Sequence, residues 1–578
     1  MIIYRLSQPV LLDFVSSLYR SIALAVSLRL RHRTRHIGFF ISLKHSPLCS
    51  LTLSVTRRFT MVRQHATKLA VEIISSHSGD LVAKVCGCLL QHGTLSLQEI
   101  VRFTDMMGSN VKNCLFVLIQ HNCVQAFSTP RKGSSDKTMT QYMAIFDNII
   151  NRMRFSKFLS IVKGDLGPEA EALFEGLLQN GRLTFEQLVE RSISKEQHMD
   201  QAMRENHQSE LRACFNNLVR WHYVEQCPRP EPFIDPDSED QLKPTKRRGA
   251  MTVEQPPSIE QQAFEAATLA ASERFSEISE SSVESAEDGT GNHSSATGHK
   301  RKHETSQSDL DPVVSVTEKF WRANFEKLLY CLKTKICAEN VRSRLGVDAG
   351  VVFEAIMEAN TEQKVKDVIV SATLDRILDQ LRDKPAGISM TLDHVRTILD
   401  ELHCKQSTEK LEAIYSLDLN ETLEACQNDE IEALVKARYG DQGYKIFRLL
   451  STRGQLIETD RIAEFTFVEK KEAHQMLYRL WKDEYIESKK IQSQGSRDTA
   501  NIFLWRLDRK AFSKTVIDDI FHAALNLTEK ISQLVEKQHK ILEDDMIKKL
   551  IQKKTILQLS LLKLDDSLLL FHDFSNYT

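Results

Sequence analysis

The sequence of 578 residues has little of several features that mark whole classes of protein. None of its eleven cysteines forms a CxxC pair, although structural zinc sites usually offer their thiolates in such closely spaced pairs. We therefore expect free, buried thiols in a reducing compartment, and no bound metal. A net charge of −2 excludes a protein that coats a polyanion with its whole surface, so any contact with nucleic acid must be local.

Motifs that carry catalysis are missing as well. The sequence has no GxxxxGK[ST] phosphate loop, no GxGxxG after a strand, no HExxH and no GxSxG. Asp235, Asp237 and Asp240 form a carboxylate cluster, but two-metal chemistry needs carboxylates held at a fixed separation by rigid surroundings. These three lie beside prolines in a polar segment, where we expect them to be solvated. We therefore predict a protein that is not an enzyme and needs no cofactor.

One apolar pattern is repeated along the chain. Each copy has a helix ending in Leu-Leu, then a glycine, a short helix, a third helix with an apolar stripe, and a strand. The stripe has spacings i, i+4, i+7 and i+8, which bury one helix face. The three clear stripes are Val111, Leu115, Leu118 and Ile119; Leu211, Phe215, Leu218 and Val219; and Ala473, Leu477, Leu480 and Trp481. The strand opens at the same distance after each stripe, at Val124, Val224 and Ile486.

A fourth, degraded copy has its stripe at Val395, Leu399, Leu402 and His403 and lacks an apolar residue to open its strand. Helix, short helix, striped helix and β-hairpin make a winged helix, a variant of helix-turn-helix. The fold class predicted is mainly α, with tandem winged-helix domains and a C-terminal helical hairpin or coiled coil. The predicted domains are winged helices at 61–150, 151–228, 317–425 (degenerate) and 426–510, a disordered charged linker at 229–316, and the coiled coil at 511–578.

Residues 1–60 differ in composition from the rest of the chain, with many arginines and serines and Asp13 as the sole acid. This composition is typical of a transit peptide. The alternative is that translation starts at Met61 and the upstream stretch is an artefact of gene prediction, which we favour because the domain pattern begins just after Met61. The apolar run 10–30 is broken by Asp13 and Arg20, so we expect no membrane span.

The linker contains too few large apolar residues to offset the cost of ordering its backbone, so we expect it to be disordered. It carries two basic clusters, Lys246, Arg247 and Arg248, and Lys300, Arg301 and Lys302. Such clusters fit a nuclear import signal, which would place the protein in the nucleus. A solvated charge run that balances the acidic neighbours explains them equally well. The C-terminal residues from 511 lack glycine and proline, and we expect their apolar tip to fold back on the last winged helix.

A winged helix that reads DNA presents Arg, Lys, Asn or Gln from its third helix and adds phosphate contacts from its wing. The third helices of the first two copies are weakly basic, and acidic neighbours dilute the richer last copy. The candidate contacts are Lys112, Arg131, Lys132 and Lys137 in the first copy and Lys470, Lys471, Arg479 and Lys482 in the last. We expect weak DNA contact without sequence specificity, to duplex or single strand, and docking to proteins as the larger role.

Three stretches resemble the tandem-winged-helix subunit of RNA polymerase III. They are LFVLIQHNCV at 115–124, ARYGDQGYKIFRLL at 437–450 followed by EKKEAHQMLYRLWKDEYIE at 469–487, and the closing LDDSLLLFHDF at 564–574. The most specific parts of the likeness are Gln120-His121-Asn122 and the segment around Tyr478.

The resemblance implies a non-catalytic member of the three-subunit initiation subcomplex, located on the clamp side of the polymerase. Such a subunit helps to open promoter DNA and contacts the initiation factor TFIIIB at tRNA and 5S rRNA genes. Its partners would be the other polymerase III subunits, TFIIIB and DNA. The alternative is a winged-helix scaffold or a general transcription factor subunit of the TFIIE type. A free DNA-binding regulator would need a strongly basic third helix, which the sequence lacks.

Overall fold

A single small architecture, built from three helices and a three-stranded sheet, occurs four times in the computed structural model of the chain. The residues that the structure describes are 64–130, 138–193, 201–227, 234, 259–268, 271–278, 319–360, 369–407, 413–492, 501–538 and 544–574. They belong to two compact units, one of residues 73–329 and one formed by the described parts of 1–72 and 330–578. Each unit contains two winged helices, which we name WH1 to WH4 in chain order.

The first unit contains WH1 and WH2. WH1 follows helix α1 (Gln64–Ser78) and consists of α2 (Asp80–His92), β1 (Leu95–Ser96), α3 (Leu97–Thr104), α4 (Gly108–Gln120), β2 (Val124–Pro130) and β3 (Thr138–Ala144). Helix α5 (Phe146–Asn151), a 3₁₀ turn (Arg152–Arg154) and α6 (Phe155–Leu166) lead to the next domain. WH2 consists of α7 (Pro168–Asn180), β4 (Leu183–Thr184), α8 (Phe185–Ile193), α9 (Gln201–Arg220), β5 (Val224–Gln226) and β6 (Phe320–Ala323), with α10 (Ile259–Ala266) and α11 (Ala271–Arg274) between its last two strands.

The second unit contains WH3, WH4 and the C-terminal helices. After α12 (Phe325–Leu345), WH3 consists of α13 (Val347–Ala359), β7 (Ile369–Thr373), α14 (Leu374–Arg382), α15 (Leu392–Glu401), β8 (Lys405–Ser407) and β9 (Ile414–Asp418). Helix α16 (Leu419–Arg453) is broken at Gly440 and its second part opens WH4, which adds β10 (Ile457–Glu458), α17 (Thr459–Thr466), α18 (Lys470–Lys482), β11 (Glu487–Gln492) and β12 (Asn501–Arg506). The chain continues as α19 (Arg509–Gln538), α20 (Asp544–Leu568) and a π-helical turn (Leu569–Asp573).

All four domains turn from the third helix into the wing in the same way. The residue after the helix cap is left-handed in each, with φ between 56° and 62°, at Asn122, His222, His403 and Glu484. The next amide donates to the carbonyl five residues back at 2.8–3.0 Å, from Cys123 to Leu118, Tyr223 to Leu218, Cys404 to Leu399 and Tyr485 to Leu480. This Schellman geometry satisfies carbonyls at the helix end and directs the chain into a strand. The last strand of each domain lies in the middle of its antiparallel sheet. The mainly α, tandem winged-helix prediction is confirmed.

The repeated turn corrects the alignment of the degraded copy. The sequence pattern matched Val395 with Val111, whereas the hydrogen bond at Leu399 gives that residue the place of Leu118. Val395 therefore corresponds to Cys114, and the strand opens at Lys405. The first residue of this strand does not have to be apolar, because Lys405 is exposed to solvent.

The boundary predicted between the second and third winged helices is wrong. Strand β6 lies within the range 317–425 predicted for the third winged helix, but it pairs with β4 and β5 and completes the WH2 sheet. Trp321 of β6 is 1% exposed and packs edge-on against Phe215 at 5.2 Å between ring centroids. The linker is therefore an insertion between two paired strands of the WH2 wing. Burial of the apolar Trp321 anchors the second of these strands in the WH2 core.

The linker prediction is also wrong for part of its length, because three of its segments are ordered. Ile234 and Ala263 are buried against Phe127 of WH1, and the Ile234 amide donates to the Ser128 carbonyl at 2.9 Å. Residues 271–278 lie against WH2. The average composition of the linker does not reveal these anchors, because each is at most ten residues long. The two basic clusters at 246–248 and 300–302 lie outside the described residues.

The C-terminal helices form a hairpin in which α19 packs against α20. Phe512 of α19 lies 5.3 Å from Phe447 and 4.9 Å from Tyr485, measured between ring centroids, so α19 also completes the WH4 core. The apolar tip contacts the first part of α16, where Gln427 Nε2 donates to the Leu570 carbonyl at 2.7 Å. The structure therefore places the tip against the first part of α16, ahead of the segment that opens WH4. Among the described helices, none is long and apolar enough to cross a membrane.

Candidate nucleic-acid interface

The third helix of WH4, α18, presents a cationic and aromatic face to solvent. Its opposite face is buried through Ala473, Met476, Leu477 and Leu480. The residues at i, i+4, i+7 and i+11 share the outer face and are Lys471, Gln475, Tyr478 and Lys482. Tyr478 is 54% exposed, and its ring centroid lies 5.7 Å from that of Trp481. This is the helix that a winged helix inserts into the major groove.

The acidic residue that follows this helix does not neutralise it. Asp483 comes directly after Lys482 in sequence, but its carboxylate turns toward the domain interior. It accepts from Arg438 Nη2 at 3.1 Å and from the Tyr439 hydroxyl at 2.6 Å. Asp483 therefore does not dilute the basic surface, contrary to the expectation from the sequence for the acidic neighbours, because Arg438 compensates its charge.

The four cations on α18 differ in whether they form an ion pair with a carboxylate of the chain. Lys470 forms an ion pair with Asp460 at 2.9 Å, and the same hydrogen bond raises the pKa of Lys470. By contrast, Lys471, Arg479 and Lys482 are exposed and have no carboxylate within ion-pairing distance in the described part of the chain. Three of the four candidates predicted on this helix are therefore available to an anion.

The wing of WH4 adds two cations that are not among the candidates predicted from the sequence. Lys489 and Lys490 are exposed on β11, where they pair in register with Leu504 and Phe503 of β12. Wings contribute phosphate contacts in this fold. The sequence does carry a signal for them, because both lysines lie within four residues of the strand opener Ile486.

A shallow groove runs between α18 and the wing. It is lined by Glu458, Thr459, Asp460, Lys470, Lys471, His474, Gln475, Ile502 and Phe503. The His474 and Phe503 rings lie 6.4 Å apart, edge to face. The lining of the groove therefore combines the lysines Lys470 and Lys471 of α18 and the Phe503 ring of the wing with the carboxylates of Glu458 and Asp460.

The third helix of WH1 has a different surface. Lys112 is exposed on α4, but it neighbours Phe116, which is 75% exposed, and Val117, which is 36% exposed. Met107, just before the helix, is 74% exposed. The candidates Arg131, Lys132 and Lys137 on its wing lie outside the described residues. The described face of WH1 is thus apolar with a single cation on α4.

The Gln120-His121-Asn122 element forms the joint between WH1 and WH2. The Arg182 amide donates to the Gln120 carbonyl at 2.9 Å, and Arg182 Nε donates to Asn122 Oδ1 at 2.7 Å. Gln120 Nε2 also donates to the Asn180 carbonyl at 3.1 Å. Burial, together with Arg152, lowers the pKa of His121 to about 4, so its imidazole is neutral at physiological pH. This motif therefore positions two domains.

The ARYG motif has a similar structural role in the second unit. Arg438 Nη1 donates to the Tyr485 hydroxyl at 3.0 Å and to Asp519 Oδ2 at 3.1 Å, in addition to its bond with Asp483. One guanidinium thus links α16, the end of α18 and α19. The next residue but one, Gly440, has φ 74° and breaks α16, which lets its second part serve as the first helix of WH4.

The described cysteines are reduced, and most of them are buried. Burial raises the pKa of the Cys123 thiol to about 11 and that of Cys404 to about 12. Thiols with such pKa values are poor nucleophiles and poor metal ligands at neutral pH.

Comparisons with known proteins agree with this architecture. Residues 68–129 match the RNA polymerase III subunit RPC82 helix-turn-helix domain, and residues 213–547 match the family RNA polymerase III subunit RPC82.

Similar proteins include DNA-directed RNA polymerase III subunit rpc3 of Dictyostelium discoideum, 22% identical over 82% of this chain and 93% of that protein. The corresponding subunits RPC3 of Danio rerio and Homo sapiens are 21% and 20% identical, over 82% and 83% of this chain and 85% and 86% of theirs. Because the second family match alone covers more than half of the sequence and contains WH3 and WH4, the chain belongs to the RNA polymerase III subunit RPC82 family.

Proposed function

We propose that this chain acts in transcription initiation by RNA polymerase III and that WH4 contacts DNA there. Family membership makes it a non-catalytic subunit of that polymerase, with other subunits of the enzyme as partners. Promoter opening, contact with TFIIIB at tRNA and 5S rRNA genes, and location in the nucleus belong to the proposal. The observation that carries the DNA contact is the group of unpaired cations on α18 and the adjacent wing.

The WH4 surface fits the DNA backbone better than a particular base sequence. Its five exposed cations are Lys471, Arg479, Lys482, Lys489 and Lys490. Each cation that neutralises a phosphate releases counterions and adds roughly 0.9 to the slope of log affinity against log salt. Specific recognition requires bidentate contacts to base edges, which Arg, Asn and Gln make best. Arg479 and Gln475 alone on this face offer that chemistry, so we expect weak specificity.

The test compares the full chain with a variant carrying Lys471→Ala, Arg479→Ala and Lys482→Ala. Fluorescence anisotropy with a labelled duplex, measured between 50 and 200 mM salt, should show weaker binding and a slope smaller by about two to three. The matched control carries Lys549→Ala, Lys553→Ala and Lys563→Ala, which removes the same net charge from exposed lysines of α20. Equal losses in both variants would mean that the chain binds DNA through its overall field, and the WH4 proposal would be abandoned.

A second role, in docking to a protein, is favoured for WH1. Phe116 and Met107 are about three-quarters exposed, and Phe103 is 44% exposed. Large exposed apolar side chains grouped on one domain mark protein interfaces more often than nucleic-acid interfaces. Lys112 lies among them, and its contact with DNA stays a prediction.

Affinity purification from cells tests the assembly. Met107→Ser with Phe116→Ser should reduce co-purification of large polymerase subunits, because both side chains would lose apolar contacts with the partner. Leu81→Ser is the control, since Leu81 is 58% exposed on α2 of the same domain. Co-purification at the level of the unaltered chain would show that WH1 does not dock through this surface.

A further inference from the structure

The third helix of WH2 is covered by a segment of the same chain. Residues 271–278, which we name the cover segment, contain α11 and the sequence ASERFSEI. They lie along α9 and β5, the elements that carry the recognition surface of a winged helix. Asn216 and Arg220 of α9 are polar side chains of the type that would otherwise reach base edges or phosphates.

The contact with α9 uses both of these side chains. Asn216 Nδ2 donates to the Ile278 carbonyl at 3.3 Å, and the Ile278 amide donates to Asn216 Oδ1 at 3.1 Å. The side-chain amide therefore pairs with both polar groups of a single backbone residue. Arg220 donates through Nε at 3.2 Å and Nη2 at 3.1 Å to one carboxylate oxygen of Glu277. Glu277 thus supplies the anion that a phosphate would supply in a nucleic-acid complex.

The middle of the cover segment is held by a buried carboxylate. Glu225 on β5 is 4% exposed and accepts from Arg322 Nε at 2.6 Å and from Arg274 Nε at 2.5 Å. A buried carboxylate is costly unless its charge is compensated, so Glu225 retains both arginines. Beside it, the Phe275 ring stacks on His222 at 3.9 Å between centroids. His222 is the left-handed residue at the end of α9, so the stack covers the corner where helix becomes wing.

We propose that the recognition surface of WH2 is a docking site for a short peptide segment with one basic and one acidic anchor, and that residues 271–278 occupy it in cis through Arg274 and Glu277. WH2 then differs from WH4 in what its third helix binds, because α9 contacts a segment of the protein's own chain. The attachment is intramolecular, since the cover segment lies in the insertion between β5 and β6. Contacts too weak to hold a free peptide can therefore keep it bound. The inference does not depend on DNA binding by WH4.

Hydrogen exchange on the full chain tests the proposal at one amide. In the unaltered protein the Ile278 amide should be protected through its bond to Asn216. The variant Asn216→Ala with Arg220→Glu should lose this protection by at least tenfold. Protection of the Tyr223 amide, which is bonded to Leu218 within WH2, should stay unchanged and show that the domain remains folded. Unchanged protection at Ile278 would overturn the proposal.

Charge reversal separates a specific pair from a general effect of charge. Glu277→Arg should weaken protection of the cover segment, and combining it with Arg220→Glu should restore part of it. The control Glu265→Arg makes the same charge change at an exposed position of α10. Equal loss in Glu277→Arg and in the control, or no recovery in the double reversal, would contradict the assignment of Arg220 and Glu277 as partners.

Duplex DNA decides between the two kinds of ligand. If the surface is committed to the cover segment, saturating DNA should leave protection of the Ile278 amide within twofold of its value without DNA. If DNA instead removes that protection, the surface serves nucleic acid and the proposal is wrong. Both measurements use the intact chain, so the insertion keeps its tether.

Discussion

Replacing Gly181 with alanine should open the joint between WH1 and WH2. Gly181 has φ 80° and ψ −111°, a conformation that residues with a Cβ rarely adopt. A Cβ at this position would lie 2.0 Å from the Gln120 carbonyl oxygen and 2.7 Å from its carbonyl carbon. Both atoms are backbone, so no side-chain rotation relieves the clash. The turn must instead move away from α4.

The loss of stability at the joint in Gly181→Ala has two sources, backbone strain at residue 181 and broken hydrogen bonds. A positive φ costs a residue with a Cβ about 1–2 kcal/mol. Moving the turn also breaks the bond from the Arg182 amide to Gln120 and those from the Gln120 and Arg182 side chains, each contributing about 0.5–1.5 kcal/mol. The joint should therefore lose about 3–6 kcal/mol in total. Gly167→Ala is a matched control because Gly167 has φ 90° and no atom within 4 Å of its Cβ position, which leaves the strain alone.

Hydrogen exchange at the Arg182 amide measures this difference directly, since that amide bonds across the joint. At 1.4 kcal/mol per factor of ten, Gly181→Ala should accelerate exchange by more than about tenfold beyond any effect of Gly167→Ala. Global unfolding is a poor measure here because a chain with several domains does not unfold in two states. Similar exchange in the two variants would refute the close approach of Gly181 to Gln120.

Three further predictions concern other parts of the chain. Burial lowers the pKa of His121 to about 4, below its value near 6.5 in the unfolded chain, so WH1 should lose stability as pH falls from 6.5 toward 4. In thermal melts, His121→Gln should reduce this dependence of stability on pH. An unchanged dependence would mean that His121 is not the group responsible. Arg438→Lys should destabilise WH4 by about 1.5–3 kcal/mol, because an ammonium cannot reach Tyr485, Asp483 and Asp519 together. Hydrogen exchange at the Tyr485 amide should become faster in this variant. An exchange rate equal to that of the unaltered chain would contradict this. Truncation after Lys510 should make WH4 susceptible to limited proteolysis, because it removes Phe512 from the WH4 core. Truncation after Gln538 keeps Phe512 and should leave WH4 resistant. Two equally resistant products would show that α19 does not contribute to the WH4 core.

The buried half of each winged helix could be predicted from periodicity alone. Leu118, Leu218 and Leu477 are at most 1% exposed, as the stripes required. Trp481, the last member of its stripe, is instead 43% exposed. At 100° per residue the position i+8 lies about 80° from the first position, at the edge of the stripe, where local packing decides its burial. Periodicity therefore gives the centre of a buried face more reliably than its margin.

The candidate interface could be predicted only in part, because composition does not tell where charged side chains point. Lys471 and Lys482 were found from their place on the third helix. The inward turn of Asp483 could not be found, since it depends on Arg438, which lies in a different helix. The pairing of β6 with β5 was also hidden, because a long insertion separates two strands that usually follow each other through a short turn.

The four domains show why fold alone does not decide what each copy binds. The Schellman turn at the end of the third helix constrains buried backbone groups and leaves the outer side chains free. That outer surface is apolar around Phe116 in WH1, covered by residues 271–278 in WH2, and cationic around Lys471 in WH4. In WH3 the exposed side of α15 carries Asp393, Asp400 and Glu401, which would repel phosphates. Among the described third helices, only that of WH4 therefore combines several unpaired cations with an uncovered face, and a contact with DNA is best sought there.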